Sequence, residues 1–369
     1  MKFRLSPFLV TATTGIWLAS IVLPACNKTN NSKNSTLDTA NSTITTILKA
    51  STTATYFYYA MTRTHLDSLF NTTGNLASQG FTVFVPTDSA FGASGITRSI
   101  LNSMTDSALK RIVLYETIQQ YLRSSNVTNP NSPFQTADGE TVFLTNNSRF
   151  FINGIPVSER DIITKNGVIQ FIRNSVALPP LGDLFQIINS DTSFTYFAAA
   201  LNRVDSFFIN YPPFNMVLKS ARGSTTIFAP NNHAFQINGY PNIDAINTAD
   251  QNYLGELIAN HIVHDRLLFT SDIYNDLRVN TYLGNSSILF NSSGSTLQVT
   301  GNSNNVPANI LKANIMATNG VLFTIDQVLK PWWNISNASL GALKQVLAAM
   351  AIKNAIPNNA SSSDTWICS

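Results

Sequence analysis

Few residues in this chain carry the chemistry of catalysis, and they are scattered. Among 369 residues there are four Glu, four His and two Cys. Asp88 is the first candidate acid or base. It lies in FTVFVPTDSAF (81–91), just after an apolar strand ends at Pro86. The same stretch recurs as STTIFAPNNHAF (224–235), with Pro230 at the break and Asn232 in the place of Asp88. An amide does no acid–base work, so a catalytic role for this position is not repeated. Thr87, Asp88, Asn231 and Asn232 are read instead as structural residues. Their side-chain oxygens can accept from the unpaired N–H groups of a helix start or tight turn. His261 and His264, in the order H-I-V-H, could share one helix face, but two imidazoles outside an H-E-x-x-H arrangement make a weak metal site. FGASGIT (91–97) is not G-x-S-x-G, no glycine-rich phosphate loop is present, and four Glu offer no convincing carboxylate pair. No enzyme activity, metal or cofactor is expected.

The bulk composition is of a kind often met on exported and cell-surface proteins. Hydrophobic residues make up 44% and charged residues only 12%, with polarity supplied by Asn, Ser and Thr. The formal net charge is +3, and Lys2 and Arg4 contribute two of those positive charges. No run of five basic residues occurs, which argues against a phosphate-reading nucleic-acid partner. Lys2 and Arg4 precede an apolar segment over 7–25 that ends Leu23-Pro24-Ala25-Cys26. This resembles the lipobox of bacterial lipoproteins, in which the cysteine is acylated and becomes the new N-terminus. Residues 1–25 are therefore expected to be a signal peptide and Cys26 the lipidation site. An ordinary secretory leader or a single membrane anchor is the alternative. The second cysteine, Cys368, then lacks an intramolecular partner, and no disulfide framework is expected.

The elements that position these residues come in two sets. TYFYYAMTR (55–63) matches TYFAAALNR (195–203), and VFVPTDSAF (83–91) matches IFAPNNHAF (227–235). LYETI (114–118) matches ANHIV (259–263), and NGVIQFIRNSVALPP (166–180) matches NGVLFTIDQVLKP (319–331). Four blocks in one order mark a tandem duplication. The expected organisation is a flexible tether over 26–40, domains over 41–180 and 181–331, and a C-terminal helix and tail over 332–369. Order is expected from about Ile44, and the prolines at 179 and 180 mark the joint between two separate cores. Each unit begins with helical stretches (55–70 and 195–208 for the first of each pair), passes through the motif strand, and has a second helical stretch over 100–113 in the first copy. Short strands follow, with a hairpin at Asn153-Gly154. Helices first and strands later give an α+β class.

With FVPTDSAF, INGIPV and the closing NGVIQFI strand, the chain resembles the fasciclin-type domain in both copies. The resemblance implies a wedge of β-sheet covered by helices and a role in adhesion. The family commonly has a Tyr-His pair in its central helix, a region implicated in integrin contact in animal members. Here the pair is split between copies, Tyr115-Glu116 in one and Asn260-His261 in the other, so integrin binding is not carried over. Position 116/261 is expected to hold a partly buried polar group bonded to the loop of the first motif. Tyr115, Glu116, Asn260 and His261 remain candidate binding residues, with Trp332 and Trp333, whose flat faces could stack on sugar rings or close the end of a core. The expected function is a non-enzymatic adhesion or binding protein of the cell envelope, held to a membrane (an outer membrane in the favoured reading) by its lipid. A surface protein or polysaccharide would be its partner. The alternative is a polysaccharide-binding accessory lipoprotein of a nutrient-uptake system.

Overall fold

The computed structural model describes residues 38–72, 80–205, 213–220, 224–293 and 296–332. Residues 1–37, with the expected leader and Cys26, and residues 333–369 lie outside them. Two copies of one α+β arrangement follow each other. In the first copy the strands are β1 (Phe81–Pro86), β2 (Thr117–Ile118), β3 (Ser132–Gln135), β4 (Thr141–Asn146), β5 (Phe150–Ile152), β6 (Ile155–Thr164) and β7 (Gly167–Ile172). They join in the order β2-β1-β7-β6-β5-β4-β3. In the second copy β8 (Thr225–Pro230), β9 (Ile262–Val263), β10 (Arg278–Asn280), β11 (Ser287–Ser293), β12 (Thr296–Gly301), β13 (Ala308–Ala317) and β14 (Gly320–Ile325) repeat that order.

The motif strand is central in each sheet. β1 runs parallel to β7, and β8 runs parallel to β14; all four are buried along their whole length. Burial on both faces explains why they read as continuous apolar runs rather than as alternating ones. Alternate side chains enter different cores. Val83 and Val85 pack with Phe57, Met61, Phe91 and Leu109 from the helices, whereas Phe84 packs with Tyr115, Val142, Phe150 and Ile172 inside the folded-over strands. Ile227 and Ala229 face helices in the second copy, and Phe228 faces its strands. The sheet therefore separates a helical layer from a strand layer.

The Asn-Gly that opens each closing strand has a specific cause. A Cβ at Gly167 would lie 2.1 Å from the carbonyl oxygen of Phe81, and one at Gly320 would lie 2.2 Å from that of Thr225. Only glycine permits that approach. The preceding asparagines tie the helical layer to the sheet. Asn166 accepts from the Ile44 N–H at 3.0 Å and donates to the Phe70 carbonyl at 2.6 Å. Asn319 does the same with Leu184 at 2.9 Å and Leu218 at 2.7 Å.

Local sequence explains where the elements stop. The helix expected over 55–70 ends at Arg63, because His65 takes a left-handed φ of 58° and Leu66 N–H turns back to the Met61 carbonyl at 2.9 Å. The helical stretch over 100–113 is two helices, Arg98–Ser103 and Asp106–Tyr115, because Thr105 starts a new one by accepting from Ala108 N–H at 3.2 Å. In the second copy the helix is Thr195–Val204, and 206–208 lie outside the described residues. Asn153 and Gly154 take φ of 47° and 73° and join β5 to β6 in a two-residue turn. Register shifts in β6 and β13 accompany left-handed residues at equivalent places, Asp161 and Asn314. Bulges of this kind bend a strand and so fold the sheet over on itself.

The copies touch through that hairpin. The Thr270 hydroxyl donates to the Gly154 carbonyl at 2.9 Å, and Asn131 donates to the Asp272 carboxylate at 2.9 Å. The Phe143 and Phe269 rings lie 5.7 Å apart, so Phe143 joins the strand-layer core of the second copy. A Cβ on Gly154 would lie 2.7 Å from that of Phe269. Among the described residues each buried core cluster draws on one copy alone, with Phe143 packed against a cluster of the other.

Candidate functional site

The residues after each strand-ending proline act on two helices at once. Thr87 is the N-cap of Asp88–Ala93 and accepts from Ala90 N–H at 3.4 Å; Asn231 accepts from Ala234 N–H at 2.8 Å. Asp88 reaches back to a different helix, Thr55–Arg63, whose own N-cap residue, Ala54, has no side chain to serve it. One carboxylate oxygen accepts from Tyr56 N–H at 2.8 Å and the other from the Thr55 hydroxyl at 2.7 Å. A carboxylate at a helix N-terminus also complements the helix dipole. In the second copy Asn232 accepts from Tyr196 N–H at 3.1 Å and donates to the Thr192 carbonyl at 2.8 Å. Amide and carboxylate thus fill one role, which needs an acceptor and no proton transfer.

Tyr115, Glu116, Asn260 and His261 are fully buried, so none presents its side chain to a partner in this conformation. Each pair sits where the helix layer ends and the chain enters the short strand β2 or β9. The Glu116 Oε1 accepts from Ala177 N–H at 2.9 Å, just beyond β7. His261 Nε2 accepts from Leu329 N–H at 2.8 Å, at the equivalent point after β14. The position is thus more buried than the sequence implied. Its side chain holds the segment after the closing strand rather than the first motif's loop.

Because an amide N–H must donate to Nε2, the His261 proton sits on Nδ1, which donates to the Leu257 carbonyl at 2.7 Å. That is a neutral imidazole, and burial lowers its pKa from 6.5 to about 4. Burial pushes the Glu116 carboxyl well above its ordinary range, opposed by the single bond from Ala177. Its other oxygen makes no hydrogen bond to any described residue. The flanking residues finish the lock. Tyr115 hydroxyl accepts from Asn153 at 3.1 Å and so anchors the β5–β6 hairpin. Asn260 donates to the Leu329 carbonyl at 3.0 Å and accepts from Ser286 at 2.7 Å.

The two histidines are not brought together as ligands. His264 pairs with Asp265 at 2.9 Å near the surface, whereas His261 points into the core. No cluster of three His, Cys, Asp or Glu that could hold a metal occurs among the described residues. Trp332 is 66% exposed; Trp333 and Cys26 lie outside the described residues. An open groove beside β2, lined in part by Gln119, Gln120, Tyr121 and Gln135, carried no motif in the sequence. Its residues converge only because the two ends of the strand order meet.

With this geometry in view, comparisons with known proteins give four likenesses. The family model described as the fasciclin domain matches residues 52–179 and 207–331. Human periostin is 28% identical over 190 residues, covering 50% of this chain and 20% of periostin. Fasciclin-like arabinogalactan protein 12 of Arabidopsis thaliana is 33% identical over 67 residues, 18% of this chain and 26% of the plant protein. The chain thus spans about a fifth to a quarter of the length of these relatives. A solved FAS1 domain pair from the insect cell adhesion molecule Fasciclin I matches with TM-score 0.37 and 16% identity, over 77% of this chain and 97% of that one.

Proposed function

The chain belongs to the fasciclin domain family, and from that membership we propose that it is a non-enzymatic adhesion protein of the cell envelope. The single observation that supports this most is the fate of its polar motif residues. Asp88, Glu116 and His261, the best acid, base or ligand candidates, are each spent on holding backbone groups of their own domain. Among the described residues nothing recurs in both copies that could turn a substrate over, whereas the two folded surfaces recur as a pair. Two domains on one chain can engage a partner together and gain avidity without any new contact.

In this reading Cys26 carries the lipid, and the polar stretch after it lets the pair reach a surface protein or polysaccharide. Two acyl chains hold a protein on a bilayer far longer than one. The test uses beads coated with the full chain and settled on immobilised native envelopes. Retention under flow above that of beads coated with an unrelated lipoprotein is expected. Equal retention would sink the proposal.

A further inference from the structure

We propose that the first domain binds a neutral oligosaccharide in the groove where the two free ends of its sheet meet. This names a partner for the adhesive reading and rests on it. β2 and β3 are the opposite ends of one strand order, yet the Ala137 N–H donates to the Thr117 carbonyl at 2.7 Å and draws them together. Beside this closure lies a groove of about 580 Å³, lined by residues 118–121 on one side and 134–136 on the other. That volume falls within the range of about 300–1,000 Å³ common to small-ligand sites.

The lining has the chemistry of hydroxyl recognition. Gln119, Gln120 and Gln135 are exposed, and the amides of the first two make no hydrogen bond to any described residue. An amide offers a donor and an acceptor side by side, which suits neighbouring hydroxyls that do the same. Tyr121 is 39% exposed and held in place, with the Arg123 guanidinium 5.7 Å from its ring centre and donating to its hydroxyl at 3.2 Å. A fixed flat ring can take the C–H face of a pyranose at little entropic cost. No carboxylate or ammonium group lines the groove, and the neighbouring Arg123 guanidinium is engaged with the Tyr121 ring and hydroxyl.

The second domain closes its sheet in the same way, with Tyr282 N–H donating to the Ile262 carbonyl at 2.7 Å. There the closing residue is a tyrosine, whose ring packs 5.5 Å from His264 and 6.1 Å from Phe214. At that point the first domain has only the methyl group of Ala137. His264 and Asp265, in contact with each other at 2.9 Å, follow β9 where Gln119 and Gln120 follow β2. A tyrosine ring thus stands in the second domain at the closing position where the first has a methyl group. An extended peptide fits the edges less well. β2 has only two residues, and Pro133 removes an N–H from β3.

The experiment is titration calorimetry on the full chain in detergent with cellohexaose, laminarihexaose, xylohexaose and mannohexaose. Oligogalacturonate serves as the anionic probe and an uncharged hexapeptide as the strand-forming probe. At least one neutral hexasaccharide is expected to saturate the protein. Ala137→Tyr should weaken it at least tenfold, and Tyr274→Ala, at an exposed position of the second domain, should leave it unchanged. Gln135→Ala, which adds no bulk, covers the case in which the tyrosine variant fails to fold and should also lose affinity. The proposal is overturned if no neutral sugar binds, if both groove variants bind as wild type does, or if only oligogalacturonate or the peptide binds. Bead retention separates the two readings: beads that adhere while sugars do not bind overturn the groove and leave adhesion standing. Sugar binding without bead retention does the reverse.

Discussion

Glu116 and His261 occupy the same point of two homologous domains, and they should give those domains opposite responses to pH. A histidine held neutral binds fewer protons folded than unfolded. Its contribution is complete above the unfolded value of 6.5 and is lost as pH falls through the window from 6.5 to about 4. At about 1.4 kcal/mol per pH unit, the whole window is worth about 3 kcal/mol to the second domain. A carboxyl held protonated behaves the other way. Its contribution is present below its ordinary value of 4.5 and is lost as pH rises toward its raised folded value, at up to about 1.4 kcal/mol per unit.

Native-state hydrogen exchange followed by mass spectrometry reads each domain in the intact chain, through peptides covering 81–91 and 225–235. The amide of Glu116→Gln can still accept from Ala177 but carries no titratable proton. It should flatten the fall in stability of the first peptide as pH rises above 4.5 and leave the second peptide alone. His261→Gln should flatten the loss of the second peptide between pH 6.5 and 5. If the first peptide falls equally steeply in wild type and Glu116→Gln, then Glu116 is not held neutral and the reasoning from burial is wrong.

Three other outcomes follow from the geometry. Asp88→Ala should destabilise the first domain by about 1–2 kcal/mol in the same exchange experiment, since two donors at the start of the helix Thr55–Arg63 lose their acceptor; Asp88→Asn should cost much less. Gly154→Ala places a side chain at a left-handed φ and against Phe269, so it should cost about 1–2 kcal/mol and loosen the domain pair, read as a larger radius of gyration in X-ray scattering. Cys26→Ala should abolish incorporation of labelled fatty acid, and labelling equal to wild type would refute the lipid anchor.

The sequence made the architecture legible for a physical reason. Duplicated blocks mark the positions that backbone geometry constrains most, such as Gly167 and Gly320, where no side chain fits, and the caps after Pro86 and Pro230. The hairpin was legible because Asn153-Gly154 is the dipeptide its turn requires. The left-handed His65 that ends a helix early was not, because a residue other than glycine in that conformation leaves no clear mark in the sequence. The depth of Glu116 was also hidden, since a glutamate ordinarily reads as a surface residue. Contact between Gly154 and Phe269 joins residues far apart in sequence, and no local pattern encodes it. The groove beside β2 was silent for the same reason. Its glutamines come from opposite ends of the strand order and share no motif.

Adhesion itself is measured most directly by single-cell force spectroscopy. Cells displaying the full chain are pressed against native envelopes, and detachment forces are compared with those of cells lacking it. Displaying cells should show larger forces, unchanged by Glu116→Gln at the pH where that variant stays folded, because the buried pair touches no partner. Equal forces with and without the chain would contradict an adhesive role.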